Sequence, residues 1–153
     1  MNIVKFVLMI LSAFIFLSTG YADGSIVVSD DWIVAAPPNA RVIAGYMTIK
    51  NKSSQTIKLI KVSSSHFKRI EIHRTEMHGD VMRMVPQDEL EIPAEGAVSL
   101  QPGSYHLMLI GPESVPKEGE NVNLKLQFDN GKTLHVNSPV RKATSGSMMR
   151  GHH

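Results

Sequence analysis

From Asn121 to Phe128 the chain alternates without exception. Val122, Leu124, Leu126 and Phe128 are apolar, while Asn121, Asn123, Lys125 and Gln127 are polar. A period of two places all the apolar side chains on one face of a strand and all the polar ones on the other. Asp129-Asn130-Gly131-Lys132 follows, and Asn-Gly is a strong hairpin signal. Leu134 and Val136 in the segment TLHVN then resume the pattern. No stretch of the chain sustains a helical period, so a half-buried β-hairpin is the element that the rest of the fold must accommodate.

Shorter segments carry the same signature. SIVVSDDWIV, AGYMTIKN, TIKLIKV, RIEIHR, VMRMV, AVSL and YHLMLI are short, apolar and rich in β-branched residues. Turns fit between them at PPNA, HGD, AEG and QPG. About eight or nine short strands with turns at this spacing predict an all-β domain. The expected fold is one antiparallel β-sandwich, cupredoxin-like or immunoglobulin-like. There are no internal repeats and no linker.

The ends differ from this body. Lys5 precedes an apolar run from Phe6 to Leu17, followed by small residues ending in Gly20-Tyr21-Ala22. This is the layout of a secretory signal peptide, too short for a membrane span of about 20 residues. Cleavage after Ala22 is predicted, giving a leader over 1–22, a domain over 23–140 and a flexible tail over 141–153. The expected location is therefore the periplasm, with no membrane span after cleavage. With Lys5 and no acid in the leader, the chain's 16 basic and 14 acidic residues leave a mature net charge of +1. That balance argues against a nucleic-acid partner. The chain contains no cysteine, which excludes disulfides, thiolate metal ligands and a lipid-modified cysteine. It retains seven histidines and seven methionines beyond Ala22, and their clustering is the informative part of the composition.

His73 ends RIEIH, Met84 ends VMRM, and His106 and Met108 sit in YHLML. Residues two apart on a strand share a face, so His106 and Met108 project together. Tyr105, Leu107 and Leu109 then point the other way, into the core. A turn at His78-Gly79-Asp80 would fold VMRMV back on RIEIHRTEM and make His73 and Met84 hairpin neighbours. Thioethers are soft, neutral ligands that suit Cu(I), and imidazole accepts copper in either oxidation state. Zinc favours thiolate, imidazole and carboxylate, and calcium and magnesium want oxygen. A blue-copper electron-transfer centre needs a cysteine thiolate, which is absent. Two histidines and two methionines thus predict Cu(I). A single methionine is ordinary core filler and a lone strand histidine ordinarily a satisfied structural residue; the set of four is the signal.

The chain resembles the PCuAC-type periplasmic copper chaperones. Their pattern of His, ten residues, Met, twenty-one residues, His, one residue, Met falls on His73, Met84, His106 and Met108 without a gap. GYMTIKN, EIHRTEMHGDVMRM, LEIPAEG and PGSYHLMLIG read as family segments. The arginine often found after the family's entry-strand tryptophan is absent here, with Val34 and Ala35 in its place. The resemblance implies a cupredoxin-like sandwich with a near-surface Cu(I) site. It also implies delivery of copper to cytochrome c oxidase assembly, directly or through a thioredoxin-like partner of the Sco type. It further suggests that Met148, Met149, His152 and His153 in the tail capture a second copper, with Cu(II) as an alternative occupant. The bland alternative for those residues is a disordered terminus.

Other residues carry weaker signals. Met77 and Met82 flank the motif, where rim or core packing competes with a guiding thioether. Glu71 and Glu76 are candidates to orient a ligand histidine, against a default of strand-surface charge. His66, His78 and His135 read as surface residues. No nucleophile elbow, phosphate loop or zinc-protease helix motif is present, so an enzyme is not expected. Copper storage or detoxification, and a metal-free immunoglobulin-like module, are the competing readings.

Overall fold

In a computed structural model, which describes residues 24–144, the alternating stretch forms a strand over the expected residues, Asn121–Phe128. Its four apolar side chains are buried and its polar ones face solvent, Gln127 only partly. The described residues form ten strands and no helix: β1 (Ile26–Val34), β2 (Val42–Asn51), β3 (Ile57–Ser63), β4 (Phe67–His78), β5 (Val81–Gln87), β6 (Leu90–Ile92), β7 (Ala97–Leu100), β8 (Tyr105–Pro112), β9 (Asn121–Phe128) and β10 (Thr133–Arg141). No helix among them is long and apolar enough to cross a membrane. The leader over 1–22 and the tail residues Met148, Met149, His152 and His153 lie outside the described residues.

The strands follow the order β5-β4-β8-β2-β1-β10-β9-β3-β6, with β7 also pairing β2. All pairings are antiparallel except a short parallel contact, Ile33 and Val34 of β1 against Val140 and Arg141 of β10. That contact joins the two layers of a β-sandwich, the expected fold. Ile33, Ile43, Met47, Ile49, Leu107 and Leu109 from one layer meet Leu59, Val122, Leu124, Leu126 and Phe128 from the other. Arg141 sets its guanidinium 5.6 Å from the centre of the Trp32 ring, which lies 5.0 Å from that of Tyr46. A cation thus covers the tryptophan from β10, although none stands directly after it in sequence.

The turns obey local chemistry. Gln101-Pro102-Gly103-Ser104 has proline second and glycine third, with Gly103 at φ 82° and Ser104 N–H donating to the Gln101 carbonyl at 3.0 Å. This is the composition and geometry of a type II turn, whose third residue needs positive φ. Asp129, Asn130 and Gly131 form a three-residue loop, closed by Phe128 N–H on the Lys132 carbonyl at 2.9 Å, with Gly131 at φ 83°. β4 and β5 are joined by Gly79 and Asp80 alone, since His78 pairs with Val81.

Asn51, at the end of β2, is fully buried and fully bonded. Its Nδ2 donates to the carbonyls of Gln55 (2.7 Å), Ile92 (3.2 Å) and Pro93 (3.1 Å). Its Oδ1 accepts from Ser53 N–H (3.0 Å) and Ser53 Oγ (2.7 Å). One amide thereby fastens β2 to the loop before β3 and to the end of β6.

Candidate metal centre

β8 runs between β4 and β2. Leu107 and Leu109 enter the core, fully buried, so parity turns His106 and Met108 to the opposite face. On β4, Ile72 fills the core and His73 takes that same opposite face. The register then sets His73 directly across from His106, and Glu71 across from Met108. On the far side of β8, small Ala44 of β2 lies opposite Met108.

The two imidazoles stand with ring centres 5.9 Å apart, inclined at 44°. Although they lie on the outer face, they are only 8% and 5% exposed for His73 and His106. Each ring is held through one nitrogen. His73 Nε2–H donates to Glu71 Oε2 at 2.8 Å, and Glu71 also accepts from Arg69 Nε at 2.7 Å. His106 Nδ1–H donates to the Ser104 carbonyl at 3.2 Å. Ser104 is presented by the type II turn, and the same carbonyl receives Thr75 N–H at 3.1 Å. These bonds fix the tautomers. The lone pairs are left on His73 Nδ1 and His106 Nε2, and both atoms are buried without a hydrogen-bond partner.

A buried nitrogen without a partner costs about 1–3 kcal/mol, so two on facing rings need a reason. A metal ion between them supplies one, and a ligand histidine that donates its other N–H to a carboxylate or carbonyl is the usual supporting arrangement. The donor set fits a soft ion. Among the described residues no group of three or more His, Cys, Asp and Glu side chains is placed to hold a metal. Any further ligand would therefore be of another kind, and Met84 and Met108 carry thioethers on the same face.

Electrostatics favour a neutral His106 ring. Burial pushes the His106 imidazole below its ordinary value of 6.5, and the nearby His73 adds to this, against the Ser104 carbonyl, which favours the charged form. The hydrogen bond from His73, and then that from Arg69, holds the Glu71 carboxyl below the usual range. At pH 6.5, where an ordinary imidazole is half protonated, His106 should remain mostly neutral in a ring-detected NMR titration. Because its folded pKa is depressed, its contribution to stability is complete above the unfolded value and is lost as pH falls through the folded one.

Met84 does not sit where simple hairpin adjacency places it. The two-residue Gly79–Asp80 loop pairs His73 with Pro86 and Met84 with Thr75. Met84 is thus the diagonal neighbour of His73 on the same face, a relation that spans about 7–8 Å between backbones and is within reach of a long side chain. Met77 and Met82 pair across the same hairpin and are exposed, which excludes core packing. Glu71 proves to be the partner of His73, while Glu76 bonds instead to His78 at 3.3 Å. His66, His78 and His135 are exposed. The Ser104 carbonyl escapes sequence reasoning, because a backbone acceptor has no residue signature, although the Pro-Gly turn that presents it does.

Residues 26–140 match the model of the LpqE-like lipoprotein family. A relative named as a lipoprotein, Lxx21020 of Leifsonia xyli subsp. xyli, is 30% identical over 121 residues, covering 78% of this chain and 71% of that protein. The Cu(I) form of DR1885 from Deinococcus radiodurans is 36% identical, covers 79% of this chain and 79% of its own, and superposes with a TM-score of 0.58. The copper-bound PCuAC domain from PmoF2 superposes at 0.69 over 80% of this chain and 97% of its own, a likeness of fold at 21% identity. The chain shares the fold of the PCuAC domains and belongs to the LpqE-like family.

Proposed function

We propose that the protein is a copper(I) carrier of the cell envelope that binds its cargo through His73, Met84, His106 and Met108. The observation that carries this reading is the pair of facing imidazoles, each anchored by one nitrogen with the other buried and without a hydrogen-bond partner. Copper bound by DR1885 and by the PmoF2 domain supports it. Two imidazoles and two thioethers hold Cu(I) without any anionic ligand. An acceptor offering thiolates, which bind Cu(I) more strongly, can therefore draw it away by ligand exchange. Thioethers also favour the closed-shell Cu(I) state, which suits a carrier rather than an oxidising catalyst. The family resemblance directs the cargo to the copper centre of cytochrome c oxidase, directly or through a Sco-type thioredoxin-like partner. The leader-like start and the lipoprotein-named relative support a location in the envelope, the periplasm by the cleavage pattern.

Anaerobic titration of the mature protein should show a tight Cu(I) equivalent, with nitrogen and sulfur in the copper X-ray absorption spectrum, and weaker binding of Zn(II). Absence of that equivalent, or a preference for Zn(II), overturns the reading. In the tail, Met148, Met149, His152 and His153 are proposed to hold a second copper, Cu(I) or Cu(II). Deleting residues 145–153 should then remove one bound copper and leave the tight one. Glu71 acts through His73 rather than on the metal. Glu71→Ala should weaken Cu(I) binding by about 10–100-fold, the usual effect of losing such a supporting partner, as read by competition with a colorimetric Cu(I) chelator.

A further inference from the structure

The β4–β5 hairpin outruns its layer. β8 stays in register with β4 only as far as Arg74, opposite Tyr105, whereas β5 follows β4 to its last residue. Residues 75–84 therefore project as a two-stranded arm beyond the histidine pair. Cross-strand partners and residues two apart share a face, so the two faces of the arm can be read from its register. One carries Glu76, His78 and Arg83. The other carries no charge: moving outward from His73 it presents Met84, opposite Thr75, and then Met82, opposite Met77.

These methionines are not core filler. Met77 is 61% exposed, Met82 60% and Met84 55%. An exposed thioether loses the packing that ordinarily justifies a methionine. The imidazoles show the reverse pattern, with His73 Nδ1 and His106 Nε2 sealed from solvent. Anything approaching the centre along the arm meets sulfur before it meets nitrogen. The uncharged, sulfur-bearing face suits a soft monovalent ion and offers nothing to a hard cation.

We propose that Met77, Met82 and Met84 form a second, weaker Cu(I) site on the arm, through which copper enters and leaves the His73–His106 centre. The inference rests on the copper reading above and adds a route to it. Neighbouring residue positions on such a face are separated by cross-strand and diagonal spacings of about 4.5–8 Å, and unbranched thioether side chains can close those gaps. At each step one Cu–S bond forms as one Cu–N or Cu–S bond on the inner side breaks. Copper remains Cu(I) throughout, and no electron or proton moves. Met84 belongs to both sites and is the point of exchange.

The test uses the mature chain carrying Met77→Leu and Met82→Leu, which keeps the apolar area of the arm and removes only the sulfurs. Both proteins are loaded with one equivalent of Cu(I) without oxygen and mixed with excess bicinchoninate in a stopped-flow instrument. The double variant should hold its copper with an affinity within about twofold of the parent, yet release it about tenfold more slowly, the effect of roughly 1.4 kcal/mol on a barrier. In the parent, Ag(I) added beyond the equivalent proposed for the tail should shift the methyl NMR signals of Met77 and Met82. Unchanged release from the leucine variant, or methyl signals that ignore the excess Ag(I), overturns the relay. A collapse of affinity for the first equivalent also overturns it, because Met77 and Met82 would then belong to the principal centre. If the parent binds no Cu(I) at all, the copper reading itself has failed. If it binds and only the rates refuse to differ, the relay alone falls.

Discussion

Replacing His106 and Met108 together by alanine should lower Cu(I) affinity by more than about 100-fold, beyond the 10–100-fold range for losing a supporting partner. The change removes one of the two facing imidazoles and the thioether beside it. Competition against a colorimetric Cu(I) chelator measures it. The apo fold should survive. His106 Nε2 has no partner, so removing the ring relieves an unsatisfied buried group while it opens a gap on the outer face. Leu107 and Leu109, which hold β8 to the core, are untouched. Binding and stability should therefore separate, and unchanged affinity in the double variant would remove His106 and Met108 from the centre.

Asn51→Ala should have the opposite signature. It strips the carbonyls of Gln55, Ile92 and Pro93 of a donor and frees Ser53 from the Asn51 side chain. Unsatisfied buried groups cost about 1–3 kcal/mol each; the Pro93 carbonyl keeps Gly96 N–H and the Gln55 carbonyl keeps Ser53 Oγ, so a loss of about 3 kcal/mol, mainly from the Ile92 carbonyl and the Ser53 N–H, is expected. That corresponds to a fall in Tm of roughly 10 °C for a domain of this size. Urea and thermal unfolding would read it. Cu(I) affinity of the folded fraction should stay near the parent's, because Asn51 lies at the end of β2 opposite the Ala44–Met108 pair. Stability unchanged by this substitution would mean that water replaces the lost donor.

These two residues mark what was and was not legible in the sequence. Parity within a strand is local, so the inward turn of Leu107 and the outward turn of His106 follow from five letters. The pairing of His73 with His106 is not local. It joins strands separated by β5, β6 and β7, and no short-range rule sets that register. Hairpin register is a middle case. The expected turn at His78-Gly79-Asp80 made His73 and Met84 neighbours, whereas a two-residue Gly-Asp loop places Met84 against Thr75. Loop length selects register, so counting two loop residues instead of three was enough to see the diagonal. β6 escaped because three residues, Leu90-Glu91-Ile92, are too few to show a period, and its pairing with β3 decides it. Asn51 shows no distinguishing letter either, since its partners come from loops that meet only in the folded chain.

The direct opposition of His73 and His106 has a consequence for how this protein can change over generations. The centre is encoded in the phase of two strands rather than in a loop. One residue inserted within β4 ahead of His73 would exchange the roles of Ile72 and His73, sending an isoleucine outward and an imidazole into the core. The same holds for β8 and the pair Leu107–Met108. Insertions in the turns leave that phase intact. Gene-length variation in this lineage should therefore gather between strands, at sites such as residues 113–119, while the strands bearing the histidines keep a constant length.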